Sequence, residues 1–265
     1  MILAINIGNT NIRAAVGNQN IIAQTVFYAS ESDVITQIES GFKGIELKQS
    51  EHKESRFGKN IWDIIDDSII ASVVPSRTDI IASSLEKKIG APSRRINIKQ
   101  CGNLKVNLYE GLLGEDRVVC CAKALQKFTP PFVVIDYGTA TTVNVVTKNG
   151  EFAGGAIFPG LQTGLDALTG NTGQLPQISN LDRIKEPITL IGKNTVENLK
   201  SGAVIGQACA AEGFISRIEE ELNCKLSVIV TGGHGPVVLP YCRFEYIYEP
   251  SLLLEGLLML CASKI

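Results

Sequence analysis

AINIGNTN, residues 4–11, ends an apolar run in a glycine turn framed by short polar side chains, and VIDYGTAT, residues 134–141, does the same. Laid over each other, residues 5–12 (INIGNTNI) and 135–142 (IDYGTATT) share one pattern. An Asx residue closes a strand, one spacer and a glycine follow, and small hydroxyl or amide side chains lead into a second strand. A single turn of this kind says little, because glycine punctuates hairpins everywhere. Two of them at equivalent places in the two halves of one chain imply an internal repeat.

The flanking sequence supports the repeat. In the first half, residues 2–6, 12–16 and 21–27 read as strands separated by tight turns. Ser30 with Asp33 predicts a helix start, with the helix running to about Ser40. Residues 41–63 are weakly patterned and read as loop. A buried-type strand follows at 69–74, then a helix capped by Ser76 and Asp79 that stops near Gly90, then RRINI at 94–98. The second half repeats this order, with strands at 132–136, 141–147 and 151–157 and an Asn149-Gly150 hairpin turn between the last two. A long helix at 195–222, strands at 226–231 and 244–248, and a final helix at 251–262 complete it. The expectation is two similar α/β domains, 1–117 and 118–265, each offering a glycine turn to a cleft between them.

Composition limits the partners. The chain of 265 residues carries a formal net charge of −2, and its basic residues cluster no more densely than EKK at 86–88. No nucleic-acid or membrane partner is expected, and an anionic ligand has to be held by local backbone dipoles. Seven cysteines without a C-x-x-C spacing, and two histidines, argue against a zinc site and for reduced, buried thiols. Met1 leads directly into a strand, and no apolar run approaches the ~20 residues of a membrane span. A cytoplasmic protein is expected.

The turns permit phosphate chemistry. Glycine lets main chain approach a ligand closely, successive N–H groups make a concave anion site, and Thr10, Thr139 and Thr141 can add hydroxyl donors. A third turn, TGGHG at 231–235, suits a flat nucleoside, with His234 expected as an exposed loop tip. Together they suggest an ATP clamp. Other nucleotide motifs fail by position: a P-loop at Gly192-Lys193 would need glycine at Pro187 and a hydroxyl at Asn194, and G-x-G-x-x-G does not occur.

Beyond the turns, SVVPSR (72–77), GEDR (114–117), GGAIFPG (154–160), GKNT (192–195), SG (201–202) and TGG (231–233) follow IGNTN (7–11) and DYGTATT (136–142) in a set order. In this order the sequence resembles the type III pantothenate kinases, a branch of the actin/hexokinase-like kinases, over nearly its whole length. The resemblance implies two ribonuclease H-like (actin-like ATPase) domains, each a mixed five-stranded sheet with flanking helices and an active-site cleft between them. It implies phosphorylation of pantothenate to 4'-phosphopantothenate by ATP, the first step of coenzyme A biosynthesis. Asn6, Ile7, Gly8, Asn9, Thr10, Asn11, Ile12 and Arg13 would bind ATP, with Thr139. Asp116 would be the catalytic base. Tyr109, Gly114, Glu115, Asp116, Arg117 and Thr195 would line the pantothenate pocket, and Asp136 would bind a monovalent cation, potassium or ammonium. Magnesium and a homodimer whose partner chain completes the pocket are implied as well. Read alone, Asp116-Arg117 could equally be a helix-start acid beside a surface arginine, and Tyr109 a packing aromatic.

One position departs from the family. Asn6 stands where the relatives usually carry aspartate, whose charge would help hold hydrated magnesium under the phosphates. An active kinase in which Asn6 orients a magnesium-bound water is the reading favoured here. The alternative is a catalytically weakened member acting as an accessory regulatory protein.

Overall fold

The computed structural model describes residues 1–28, 33–43, 61–107, 109–179, 181 and 186–263. Ser30 and most of the loop expected at 41–63 lie outside them. The chain forms two compact units, one of Met1–Asn103, Gly111–Lys123 and Ser251–Ile265, the other of Leu104–Glu110 and Ala124–Pro250.

The first unit is built on five strands: β1 (Ile2–Ile7), β2 (Asn11–Gly17), β3 (Ile21–Tyr28), β4 (Asp67–Ser72) and β5 (Arg94–Arg95), in the order β3-β2-β1-β4-β5. β1 runs antiparallel to β2 and parallel to β4. Leu3, Ile5 and Ile7 lie on one face of β1 and meet Ile12 and Ile70 in the core, while Ala4 is buried on the other face. Helix α1 (Val34–Gly41) starts at Asp33, whose Oδ1 accepts from the Thr36 N–H at 3.1 Å, so Asp33 itself is the cap. Helix α2 (Pro75–Ile89) starts one residue before Ser76, with Pro75 in its first turn and no side-chain cap on Val74. Ser72 braces this start from outside the helix, its Oγ accepting from the Val74 N–H at 3.0 Å and from Thr78 Oγ1 at 2.7 Å. Gly90 ends α2 at φ 79°, as expected.

The second unit repeats the plan. Strands β6 (Phe132–Tyr137), β7 (Ala140–Val146), β8 (Phe152–Pro159), β9 (Ser227–Thr231) and β10 (Ile247–Tyr248) lie in the order β10-β9-β6-β7-β8. β6 is antiparallel to β7 and parallel to β9, as β1 is to β2 and β4. Each unit is therefore a mixed five-stranded sheet of the same topology. The two turns differ by one residue: the pair Ile7↔Ile12 closes over 8–11, and Tyr137↔Thr141 closes over 138–140.

Helix α3 (Glu115–Lys127) opens in the first unit, and α4 (Leu161–Gly170) and α5 (Thr195–Leu222) belong to the second. Sequence patterning misses α4, because Gly164 and Gly170 interrupt a short apolar stripe. α5 matches its expected span, capped by Asn194 Oδ1 on the Glu197 N–H at 3.0 Å. Near Gly235–Val238 a short helix, α6, follows the third glycine turn. The last helix, α7 (Leu252–Ala262), belongs to the first unit, where Leu252, Leu253, Leu254, Leu257 and Leu258 are buried. Among the described residues no helix is long and apolar enough to cross a membrane.

Candidate functional site

In the first unit, the expected phosphate turn and the expected base stand at one edge of the sheet. Asn6 lies opposite Arg13 on β2 and Ala71 on β4. The Gly8 N–H donates to the Asn11 carbonyl at 3.0 Å, and a Cβ on Gly8 would sit 2.9 Å from that oxygen, so the turn closes only around glycine. Asn9 and Thr10 are exposed, whereas Ile7 and Ile12 are buried. Those two can therefore offer a ligand main chain only. At the same edge β4 ends, and the Val73 N–H donates to the Ile7 carbonyl at 3.2 Å. The Ser72 N–H donates to Glu115 Oε2 at 2.9 Å, which fastens the start of α3 there.

The first turn of α3 carries Glu115 and Asp116, where the helix dipole favours negative charge. Asp116 is half-buried, and its Oδ1 accepts from the Arg117 N–H at 2.8 Å. A Cβ on Gly114 would lie 2.7 Å from Asp116 Oδ1, so glycine makes the room this carboxylate occupies. Burial raises the Asp116 pKa above the ordinary carboxylate value, and the Arg117 N–H and guanidinium only partly oppose it. Glu115 is raised as well, chiefly by burial and further by Asp116, against the Ser72 N–H and the Arg95 charge. A carboxylate with raised proton affinity is a better acceptor for a hydroxyl proton. Arg117 is only 7% exposed, so it is not the surface arginine of the blander reading.

In the second unit, two glycine turns, at Gly138 and Gly232, come close to Asp136. This residue ends β6 opposite Thr142 and Thr231. Gly232, at φ 95°, runs so close that a Cβ there would collide with Asp136 Oδ1 and stand 2.5 Å from the Tyr137 carbonyl. His234 is half-buried, not an exposed loop tip: its N–H donates to the Tyr137 carbonyl at 3.0 Å and its Nδ1 lies 3.2 Å from the Gly138 carbonyl. Thr139 is exposed, and its carbonyl accepts from the Gly160 N–H at 3.1 Å and from Thr163 Oγ1 at 2.7 Å, which seats the turn on the start of α4. Thr141 is different. It is 1% exposed and its hydroxyl donates to Gln207 Oε1 at 2.7 Å, so it braces β7 against α5 and has no proton left for a phosphate.

Tyr109 is half-buried in the same unit, edge-on to Phe152 with ring centroids 5.6 Å apart and 68° between planes. Its ring lies over Gly154, where a Cβ would be 3.8 Å away. Thr195 is the exposed first residue of α5. Its neighbours Asn194 and Val196 border a depression of 540 Å³ that also takes in Ile188, Ile191 and Lys200. Sequence reasoning missed Ser72, Gly160, Gln207 and the role of His234. Gly160 and Ser72 lay inside motifs already picked out, so a signal existed for them.

For cations the chemistry of the donors decides. Among the described residues no three His, Cys, Asp or Glu side chains gather to hold a metal. Among those residues no cage made wholly of carboxylates is available. The Asp136 carboxylate, with the Tyr137 carbonyl beside it, supplies oxygen donors of the kind a hard monovalent ion takes. Asn6 offers one uncharged oxygen, which fits a magnesium-bound water better than the ion itself.

A family model described as type III pantothenate kinase matches residues 2–217. The type III pantothenate kinase of Sulfurihydrogenibium sp. (strain YO3AOP1) is 32% identical over 268 residues, covering 98% of this chain and 99% of that one. That of Rhodospirillum rubrum is 34% identical over 267 residues, covering 98% and 97%. Among solved structures, the activator of the 2-hydroxyisocaproyl-CoA dehydratase from Clostridium difficile, with bound ADPNP, aligns with a TM-score of 0.54 over 99% of this chain and 94% of that one. At 9% identity that likeness shows a shared fold and nothing further.

Proposed function

The chain belongs to the type III pantothenate kinase family, and on that premise we propose that it phosphorylates pantothenate with ATP, using Asp116 as the acceptor of the hydroxyl proton. The observation that carries this is the half-buried Asp116 at the start of α3, tied through Glu115 and Ser72 to the sheet edge that bears the Asn6–Arg13 turn. As the pantothenate hydroxyl oxygen bonds to the γ-phosphorus, its proton passes to the Asp116 carboxylate. The bond from the γ-phosphorus to the bridging oxygen breaks, and ADP leaves. Phosphoryl transfer depends mostly on alignment and charge stabilisation, so a modest base suffices.

The remaining roles follow the same reading. The main-chain N–H groups of Asn9 and Thr10 and the exposed Thr10 and Thr139 side chains hold phosphate oxygens. Tyr109, Gly114, Glu115, Arg117 and Thr195 hold pantothenate, with the Arg117 guanidinium suited to its carboxylate. When bound, magnesium and a monovalent cation supply charge neutralisation at the phosphates. Asp136 and the neighbouring Tyr137 carbonyl would hold the monovalent ion, and Asn6 would orient a water of the magnesium shell. A cytoplasmic homodimer belongs to this proposal. The exposed Ile191, Val196 and Thr195 around the 540 Å³ depression suit coverage by a second chain.

The test is a coupled assay of ADP release in the wild-type protein with magnesium. Release that requires pantothenate and rises with potassium supports the proposal. A protein that binds ATP yet releases no ADP on addition of pantothenate contradicts it.

A further inference from the structure

Arg77 is the only guanidinium among the described residues with a buried nitrogen that lacks a partner: its Nη1 is closed to solvent and donates to no acceptor. A buried donor on a charged group is costly to leave unsatisfied, and native structures rarely keep one without a purpose. Asp79 pairs with Arg95 at 3.1 Å, and the positive charges acting on Glu115 and Asp116 are those of Arg95 and Arg117.

Position gives the orphan nitrogen its meaning. Arg77 sits in the first turn of α2, next to Thr78. Thr78 Oγ1 donates to Ser72 Oγ at 2.7 Å, and the Ser72 N–H donates to Glu115 Oε2 at 2.9 Å. Arg77 and Asp116 thus flank the two ends of one short chain of bonds at one edge of one sheet. That edge also carries the Asn6–Asn11 turn. Guanidinium groups match oxyanions through two parallel bonds, and both substrates of the proposed reaction carry oxyanions.

We infer that Arg77 is an anion-binding residue of this site, pairing its half-buried guanidinium with an oxyanion of a bound substrate, either a nucleotide phosphate or the pantothenate carboxylate. This rests on the kinase reading for the identity of the ligands. The charge that is costly in the free protein is retained because a ligand completes it.

Isothermal titration of ATP, of pantothenate and of an uncharged pantothenate amide into wild type, Arg77→Met and Arg77→Lys tests the inference. Arg77→Met should weaken one substrate by roughly 10- to 100-fold, and Arg77→Lys should weaken it less. A loss confined to ATP identifies the phosphate. A loss with pantothenate but not with its amide identifies the carboxylate. The ligand-free Arg77→Met protein should melt at the same or a higher temperature, since an unsatisfied buried donor has gone. Unchanged affinities overturn the inference, as does an equal loss for all three ligands in a variant with a lowered melting temperature. Wild-type turnover is measured separately: its absence would defeat the kinase reading while the binding comparison still decides the role of Arg77.

Discussion

The main-chain N–H of Ser72 donates to the Glu115 carboxylate at 2.9 Å, and this bond fixes where α3 begins relative to the end of β4. Glu115→Ala removes the acceptor and leaves a half-buried N–H unsatisfied. Denaturant unfolding should show a loss of ~1–3 kcal/mol. Because Asp116 is the next residue, kcat should fall more than the KM for ATP rises.

The raised pKa of Asp116 has a consequence for stability. A carboxyl group whose folded pKa exceeds its unfolded one binds more protons when folded, so stability falls as pH rises through that window. At neutral pH the ionised, half-buried carboxylate is therefore a burden on the fold. Asp116→Asn should melt at the same or a higher temperature than wild type at pH 7. The difference should shrink as the pH falls toward the ordinary carboxylate value of 3.8. Thermal unfolding of both proteins across that range is the check.

Gly232 passes Asp136 at φ 95° with no room for a Cβ. Gly232→Ala should cost ~1–3 kcal/mol from backbone strain and displacement of the carboxylate. Activity measured against added potassium should show a smaller cation response than wild type, in excess of any loss explained by unfolding.

Asn6 keeps an oxygen where the relatives usually have a charge. Asn6→Asp should lower the magnesium concentration needed for half-maximal turnover, or raise turnover itself. A magnesium titration with kinetics identical to wild type would remove Asn6 from the account.

Much of this was legible in the sequence because it rests on local chemistry. The repeat could be read since the two turns recur in strands with the same apolar pattern, and the strand orders then agree. α5 was legible from its helical spacing, with Asn194 at its start. α4 was not, since Gly164 and Gly170 dilute its stripe. Nothing local tells α7 that it packs on the first unit's sheet, because that partner lies far away in the chain. Thr139 and Thr141 look interchangeable as letters. Thr141 is buried against Gln207, an α5 residue far along the chain, and Thr139 is exposed. Arg77 shows the same limit, since burial of one nitrogen is a property of the packed fold. Asn6–Arg13 and Gly114–Arg117 were picked out as motifs, but the Val73–Ile7 and Ser72–Glu115 bonds that bring them to the end of β4 are properties of the folded chain.

The most direct test compares initial rates of pantothenate-dependent ADP release for wild type and Asp116→Asn, at saturating ATP, magnesium and potassium. Loss of a general base should lower kcat by roughly 10²- to 10⁴-fold, with ATP binding retained. An Asp116→Asn protein that turns over at the wild-type rate would contradict the assignment of Asp116 as the proton acceptor.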